Sequence, residues 1–461
     1  MTPKRPSAES DGDERSEREG NVPASLSTSH TSSDAAAPSA QPPRYHLSVV
    51  LNPSSGAGKA REVWKSVEVQ LKDAAQGGRD SNKWEGPWLE WEVQETEKMG
   101  DGERIGRELA QRFEQDSTKR HALMVLGGDG TVHEVLNGLL VREGGRIAKE
   151  EVELVLVPTG TANALYYSLF PPSSPSYPSD SPSSHLYSFD SFLSRFSSPS
   201  SASATRSSRL LPVSLALNTV PSTPPVLTTV VSSAALHASI LYDAEALRAS
   251  HPGIERFKLA AQQNANRWTS GTLRLKGAVK RYSAAREGWI EKGEEATVEG
   301  EFAYLTSALV DRFEPAFVVA PFRSPSSHLA PSPSSASIDL IVIRPLRHAP
   351  TAALVRAGKA QDAKDGFVTR VWEVSGGMYS DGKHVGMVYA EEEREEKGEE
   401  GGQIAEVWRC EGFEWEPAPS TEVKDGLVCL DGAVHDLGEG EGRRLTVKAL
   451  GVGETGVTVW A

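Results

Sequence analysis

Three short stretches join glycine to small hydroxyl or amide residues: LNPSSGAGKA at 51–60, GGDGT at 127–131 and PTGTANAL at 158–165. Glycine lets backbone N–H groups approach an anion closely, and a helix N-terminus presents unpaired N–H groups to phosphate. One such loop says little; three of them describe a polyphosphate cradle. Asp129 stands between glycines in the second loop. A carboxylate beside a terminal phosphate can take the proton of an attacking hydroxyl or help to hold Mg²⁺. The alternative for the same residue is a local Asx turn. Glu134 is open in the same way, because Thr131-x-x-Glu134 is also a capping box. His133 has no partner visible in the sequence and reads as structural.

Other phosphate motifs do not fit. Gly58-Lys59 is followed by Ala60 rather than Ser or Thr, and no glycine stands five residues before Gly58, so the first loop is not a Walker A loop. G-x-G-x-x-G is absent there, and the protein-kinase elements are not present as a set.

The loops need strands and helices to hold them. YHLSVVLNP reads as a strand entering the first loop, and Val63, Val67 and Leu71 then fall four apart on a helix face. Leu89, Trp91 and Val93 alternate as a strand, and Ile105, Leu109 and Phe113 share a helix face. HALMVL and VELVLVP are continuous apolar runs of the kind buried on both faces of a sheet. Strand and helix alternate through 44–169, which predicts crossover units and a mainly parallel α/β sheet. The ligands of such a sheet sit beyond the carboxyl ends of its strands, where all three loops fall. After 209 short strand-like segments dominate, GMVYAE among them, and helical patterning is confined to 243–263 and 350–360. A β-rich sandwich is expected over 210–461. The apolar stretch 225–242 is broken by Ser, Thr and His and reads as strands rather than a membrane span.

Residues 1–43 are rich in Ser, Pro, Ala and charge, the composition of a disordered tail, and 170–209 reads as a Ser/Pro-rich linker or insertion. Within it HLYSFDSFLSRF has room for one or two amphipathic turns. A third Ser/Pro patch covers 324–337, and an acidic run at 391–402 reads as a solvated loop. The formal net charge of −14 argues against a general nucleic-acid binder. Two cysteines in 461 residues, Cys410 and Cys429, form no metal-binding spacing and suit a reducing, cytoplasmic setting. Peripheral membrane contact is compatible with the composition.

The loops, taken in order, resemble those of the diacylglycerol-kinase catalytic superfamily of lipid kinases. GGDGTVHEVLNGL is close to the family signature, and its HEV-x-NGL continuation and PTGTANAL are most like sphingosine kinases. The resemblance implies an α/β nucleotide domain against a β-sandwich, with ATP and Mg²⁺ used in the cleft between. It implies that Asn52, Pro53, Ser54, Thr96, Gly160, Thr161 and Ala162 hold nucleotide and that Glu134 contacts ATP. Gly127, Gly128 and Gly130 would line substrate and phosphate, with Asp129 as the base. ILYDAEALRASHPGIERF is similar to a sphingosine-kinase stretch; it implies Asp243 for a sphingoid head group and Arg256 near the phosphates, against an ordinary solvated helix face for both. CLDGAVHD looks like a late DGE motif with Ala433 in place of Glu, placing Asp431 and Gly432 at the nucleotide or, alternatively, in a plain hairpin turn. The implied activity is phosphorylation of the primary hydroxyl of a sphingoid base. Ceramide or diacylglycerol is the rival acceptor. NAD kinase shares GGDGT but lacks support elsewhere, and a catalytically weak nucleotide- or lipid-binding scaffold is the rival of another class.

Overall fold

The structure is a computed structural model that describes residues 44–77, 88–116, 118–172, 186–196, 209–221, 223–251, 253–332, 335–396, 402–439 and 442–461. The expected tail, most of the Ser/Pro stretch at 170–209 and part of the acidic run lie outside the described residues.

The apolar runs of the first region form β1 (Arg44–Leu51), β2 (Trp88–Glu95), β3 (Arg120–Gly127) and β4 (Val152–Pro158), all parallel, in the order β2-β1-β3-β4. β1, β3 and β4 are buried along nearly their whole length, as continuous Val/Leu runs require when helices cover both faces. The crossovers are α1 (Ala60–Gly77), α2 (Asp101–Gln115) and α3 (Asp129–Leu140), and α4 (Ala164–Leu169) follows β4. Leu47, Val49 and Leu51 pack with Val67 and Leu71 of α1 on one face. Ile105, Leu109 and Phe113 of α2 pack with Val132, Val135 and Leu139 of α3 on the other.

α2 and α3 approach at glycine. A Cβ on Gly138 would lie 2.0 Å from the Glu103 carbonyl oxygen, and one on Gly106 would lie 2.3 Å from that of Val135. Backbone cannot yield as a side chain can, so Gly138→Ala is expected to destabilise by about 1–3 kcal/mol. The urea midpoint of unfolding checks this. Gly130→Ala, whose Cβ would meet nothing within 4 Å, should move that midpoint little.

Two segments far along the chain complete the same sheet. Val457–Trp460 adds parallel to β4, and Leu210–Pro212 adds antiparallel beyond it. Both fall in the 210–461 segment that the sequence assigns to the β-rich part. The Ser/Pro stretch also contributes: α5 (Tyr187–Ser194) buries Phe189 and Phe192, and Phe192 meets Tyr45 and Trp460 edge-on at 6.2 and 5.7 Å. Its Ser188 Oγ accepts the Leu156 N–H at 3.0 Å, which docks the helix on β4.

Of the remaining strands, Arg312–Glu314 and Phe317–Val318 pair with each other, and twelve make one sheet whose pairings are all antiparallel among the described residues. One edge of the long strand Thr269–Ser283 is shared by two successive strands, Glu406–Cys410 and Gly412–Pro417. The sheet divides there into two leaves. Leu340 and Val342 of one leaf share a core with Phe413, Leu445 and Val447 of the other, so the expected sandwich is a single divided sheet. Cys410 and Cys429 are buried free thiols in strands.

Four helices lie beside this sheet: α6 (Ala235–Ala246), α7 (Glu255–Asn264), α8 (Ala349–Arg356) and α9 (Ala360–Met378). They correct three sequence expectations. Residues 235–242 are helical rather than extended. α9 extends helix well past the expected 350–360 and runs through Gly366, Gly376 and Gly377. GMVYAE is not a strand; Val388 makes only an isolated bridge to Gln403. No helix among the described residues is long and apolar enough to cross a membrane.

Candidate active site

The parallel sheet delivers its four loops to one edge, and hydrogen bonds then join them. Asn52, just past β1, donates its N–H to the Leu126 carbonyl at 2.9 Å and its side-chain amide to Thr131 Oγ1 at 2.9 Å. Its Oδ1 accepts the Ser54 N–H at 3.0 Å, which folds Pro53 and Ser54 into a tight turn at the rim. Thr96, after β2, is buried and donates its N–H to Leu51. Ser55 Oγ lies 2.9 Å from Thr159 Oγ1 and so ties the first loop to the third. The second and third also meet at glycine: a Cβ on Gly160 would sit 2.3 Å from Gly128 Cα. Gly127, Gly130, Thr161 and Ala162 complete this cluster. Gly56, at φ +54, is pressed so near the third loop that a Cβ would lie 2.3 Å from the Thr159 carbonyl.

Asn163 was not singled out by the sequence. It holds a left-handed conformation at φ 53, and its side-chain amide brackets Gly160, accepting from the N–H at 2.9 Å and donating to the carbonyl at 3.0 Å. An Asn ahead of a helix is a residue type that tolerates this geometry, and that was the available signal.

Asp129 opens α3 and makes no Asx turn with its neighbours. Oδ2 accepts the Ala164 N–H at 2.8 Å and Oδ1 the Leu165 N–H at 3.0 Å, so the carboxylate caps α4 and locks the second loop to the third. Each oxygen keeps a further lone pair. Burial pushes the carboxyl above the usual aspartate range; the two N–H groups pull against this, and the charge of Asp431 adds to it. Glu134 does not form the capping box. Its carboxylate accepts the N–H groups of Gly100 and Gly102, each at 3.0 Å, and so caps α2 instead.

Beside the loops lies a cavity of about 530 Å³. Its walls are mostly apolar, with Leu236, Ile240, Phe257, Phe313, Val374 and Met378 prominent, and Asp129, Thr161, Ala162, Asp431 and Gly432 also line it. Asp431 and Gly432, at φ 47 and 95, form the two-residue turn between Leu427–Leu430 and Ala433–Asp436. The hairpin reading therefore holds, but the turn also reaches the cavity. Asp431 Oδ1 accepts the N–H groups of Val230 and Val231 at 2.9 and 2.8 Å, and Oδ2 accepts the Thr229 N–H at 2.6 Å and its hydroxyl at 3.1 Å. His133 supplies a fifth contact at 3.3 Å, a partner 298 residues away that no sequence reading could find. Asn137 adds two bonds to the Leu227 backbone, at 2.9 and 2.8 Å, so α3 is stitched to the β-rich part along its length.

Asp243 and Arg256 join neither the loop cluster nor this cavity's wall. Asp243 Oδ2 is held by Lys424 Nζ at 2.5 Å and by Asn264 Nδ2 at 2.6 Å. Arg256 stacks over Phe257, its guanidinium 4.6 Å from the ring centroid, and burial lowers its pKa. Among the described residues no three His, Cys, Asp or Glu side chains gather as a metal cluster.

The class these features define is an α/β protein whose glycine-rich loops gather beside an apolar cavity. Within it, residues 46–185 match the family model of the diacylglycerol kinase catalytic domain. Sphingosine kinase B of Dictyostelium discoideum is 28% identical over 132 residues, 29% of this chain and 15% of that protein. Sphingosine kinase 1 of Homo sapiens is 32% identical over 122 residues, 26% of this chain and 27% of that protein. The chain spans less than a third of the length of the curated relatives it matches. A crystal structure of a diacylglycerol kinase from Bacillus anthracis str. Sterne aligns at 15% identity with a TM-score of 0.42, covering 89% of this chain and 95% of that one. The likeness to the diacylglycerol-kinase superfamily, sphingosine kinases included, rests on the catalytic-domain match and the curated relatives.

Proposed function

We propose that this chain is a lipid kinase that transfers the γ-phosphoryl group of ATP to the primary hydroxyl of a long-chain lipid. One observation carries the proposal: Asp129 is at once the lock between two phosphate-type loops and a wall residue of the apolar cavity. The loops of Asn52–Ser54, Gly127–Gly130 and Gly160–Ala162 hold the phosphates through backbone N–H groups. The cavity takes the alkyl chain and excludes water. The acceptor hydroxyl then meets a carboxylate fixed in direction by two N–H donors, and Asp129 takes its proton as the oxygen attacks phosphorus.

Mg²⁺ fits this site as the companion of ATP. Mg²⁺ uses one or two carboxylates together with phosphate oxygens and water, and needs no all-protein cage. Asp129 has lone pairs to spare, whereas Asp431 is spent on five contacts. The ion supplies charge neutralisation on the transferring phosphate.

A sphingoid base is the favoured acceptor, supported by the HEV-x-NGL stretch and the named relatives. The pairing of Asp243 with Lys424 favours a second reading, a neutral acceptor such as ceramide or diacylglycerol, since an ammonium would have to find Asp129 or Asp431 instead. Purified protein, labelled ATP and a panel of these three lipids decide the matter. Labelled phosphate on the sphingoid base alone is the expected result. Thermal stabilisation by ATP with no turnover on any lipid would replace the kinase with a binding scaffold.

The cavity rim supports peripheral membrane contact. Trp372, Tyr379 and Ile254 line the cavity and are still 39%, 53% and 38% exposed. Amphipathic aromatic rings suit a bilayer interface. The double variant Trp372→Ala, Tyr379→Ala is expected to lose co-sedimentation with phosphatidylserine-containing vesicles. Unchanged sedimentation would remove the rim from that role.

A further inference from the structure

The apolar wall of the cavity is interrupted by a polar side chain that the mechanism above does not use. His237 lies in the first turn of α6 and lines the cavity. Its Nδ1 is 2.7 Å from Ser233 Oγ, and its Nε2 has no hydrogen-bond partner among the described residues. The rings of Phe313 and Tyr304 stand 5.6 and 6.3 Å from the imidazole and fix its plane. Burial pushes the imidazole down to about 4, so it is neutral near pH 7 and keeps one ring nitrogen as donor and one as acceptor. Ser233 faces Cys429 across two paired strands, and its hydroxyl also reaches that thiol, which burial raises to about 12. The chain of thiol, hydroxyl and imidazole is therefore uncharged from end to end.

We propose that Nε2 of His237 is a hydrogen-bonding subsite for a second oxygen of the lipid acceptor, a hydroxyl or carbonyl near the reacting primary hydroxyl. The proposal rests on the reading of this cavity as the acceptor site. The placement suits it. Ser233 pairs with Cys429, and Cys429 is two residues, about 7 Å of strand, from Asp431 at the polar end of the cavity. An acceptor with a single oxygen would cover Nε2 without bonding it and forfeit roughly tenfold in affinity. Ser233 is the positioning residue, since its hydroxyl sets the ring tautomer and orientation.

A long-chain vicinal diol and the primary alcohol of equal chain length differ by one hydroxyl and test the subsite. Binding is read by tryptophan emission, because Trp372 lines the cavity, and phosphate transfer is read separately. The unmodified protein is expected to bind the diol about tenfold more tightly. His237→Phe, which keeps the ring volume, should bring the ratio near one while affinity for the plain alcohol holds. Ser233→Ala should lower the same ratio, and it serves if the Phe variant does not fold. A diol preference that survives in both variants, or none in the unmodified protein, overturns the subsite. A His237-dependent preference without any phosphate transfer would sink the kinase reading and leave the subsite standing.

Discussion

Asp129→Asn is expected to lower kcat by about a hundred- to ten-thousandfold, the usual worth of a positioned general base. KM should change little, because the backbone loops that hold the phosphates remain. Asparagine keeps one acceptor for the α4 N–H groups, so the link between the second and third loops should survive in part and the melting temperature should fall only modestly. The pH profile gives an independent readout. A base must be ionised to act, and burial holds this carboxyl above the usual aspartate range. The rate should therefore rise with pH, and its acidic limb should lie higher than that of an exposed aspartate. In the variant that limb should vanish. An Asp129→Asn protein with full turnover, or an acidic limb common to both proteins, would exclude Asp129 as the base.

Asp431→Ala is expected to cost about 3–5 kcal/mol of stability, since it strips the partner from three backbone N–H groups and leaves them in a buried site. Chemical denaturation measures this directly. Because the same carboxylate meets His133 of α3, the loss should reach the loops as well, and ATP should bind more weakly to whatever fraction stays folded. Asp431→Asn keeps one acceptor oxygen and should fall between the two. A denaturation midpoint unchanged in Asp431→Ala would mean that the turn at Thr229–Val231 does not depend on it.

The four parallel strands β1 to β4 were legible because their residues obey local rules. β1, β3 and β4 are short unbroken Val/Leu runs, α2 repeats its apolar residues at helical spacing, and the loops announce themselves by glycine. The roles of the carboxylates were not legible. Glu134 sits where a capping box would place it, yet it reaches across to the N-terminus of α2, which only the close packing of Gly106 and Gly138 permits. Asp243 has the setting of a head-group acid, and Lys424, 181 residues later, takes it. Asp431 looked like a turn residue and is one, but its five contacts come from two distant segments, Thr229–Val231 and His133. In each case the deciding partner is remote in sequence, and spacing along the chain carries no information about it. The helical start of 235–246 was missed for a local reason: β-branched and small residues run straight from strand into helix at Ala235, which adopts φ 54 without a glycine to mark the break.

The strand Val457–Trp460 lies inside the first sheet, hydrogen-bonded to β4 on one side and to Leu210–Pro212 on the other. A ribosome making this chain completes the glycine-rich loops long before residue 460 emerges, and until then the sheet beneath them lacks Val457–Trp460 and, with it, a partner for Leu210–Pro212. Nascent protein therefore exposes an unpaired edge of β4 until that strand arrives, the kind of surface that recruits chaperones or mispairs with a neighbour. The loop cluster rests on its finished sheet only once Val457–Trp460 has joined β4.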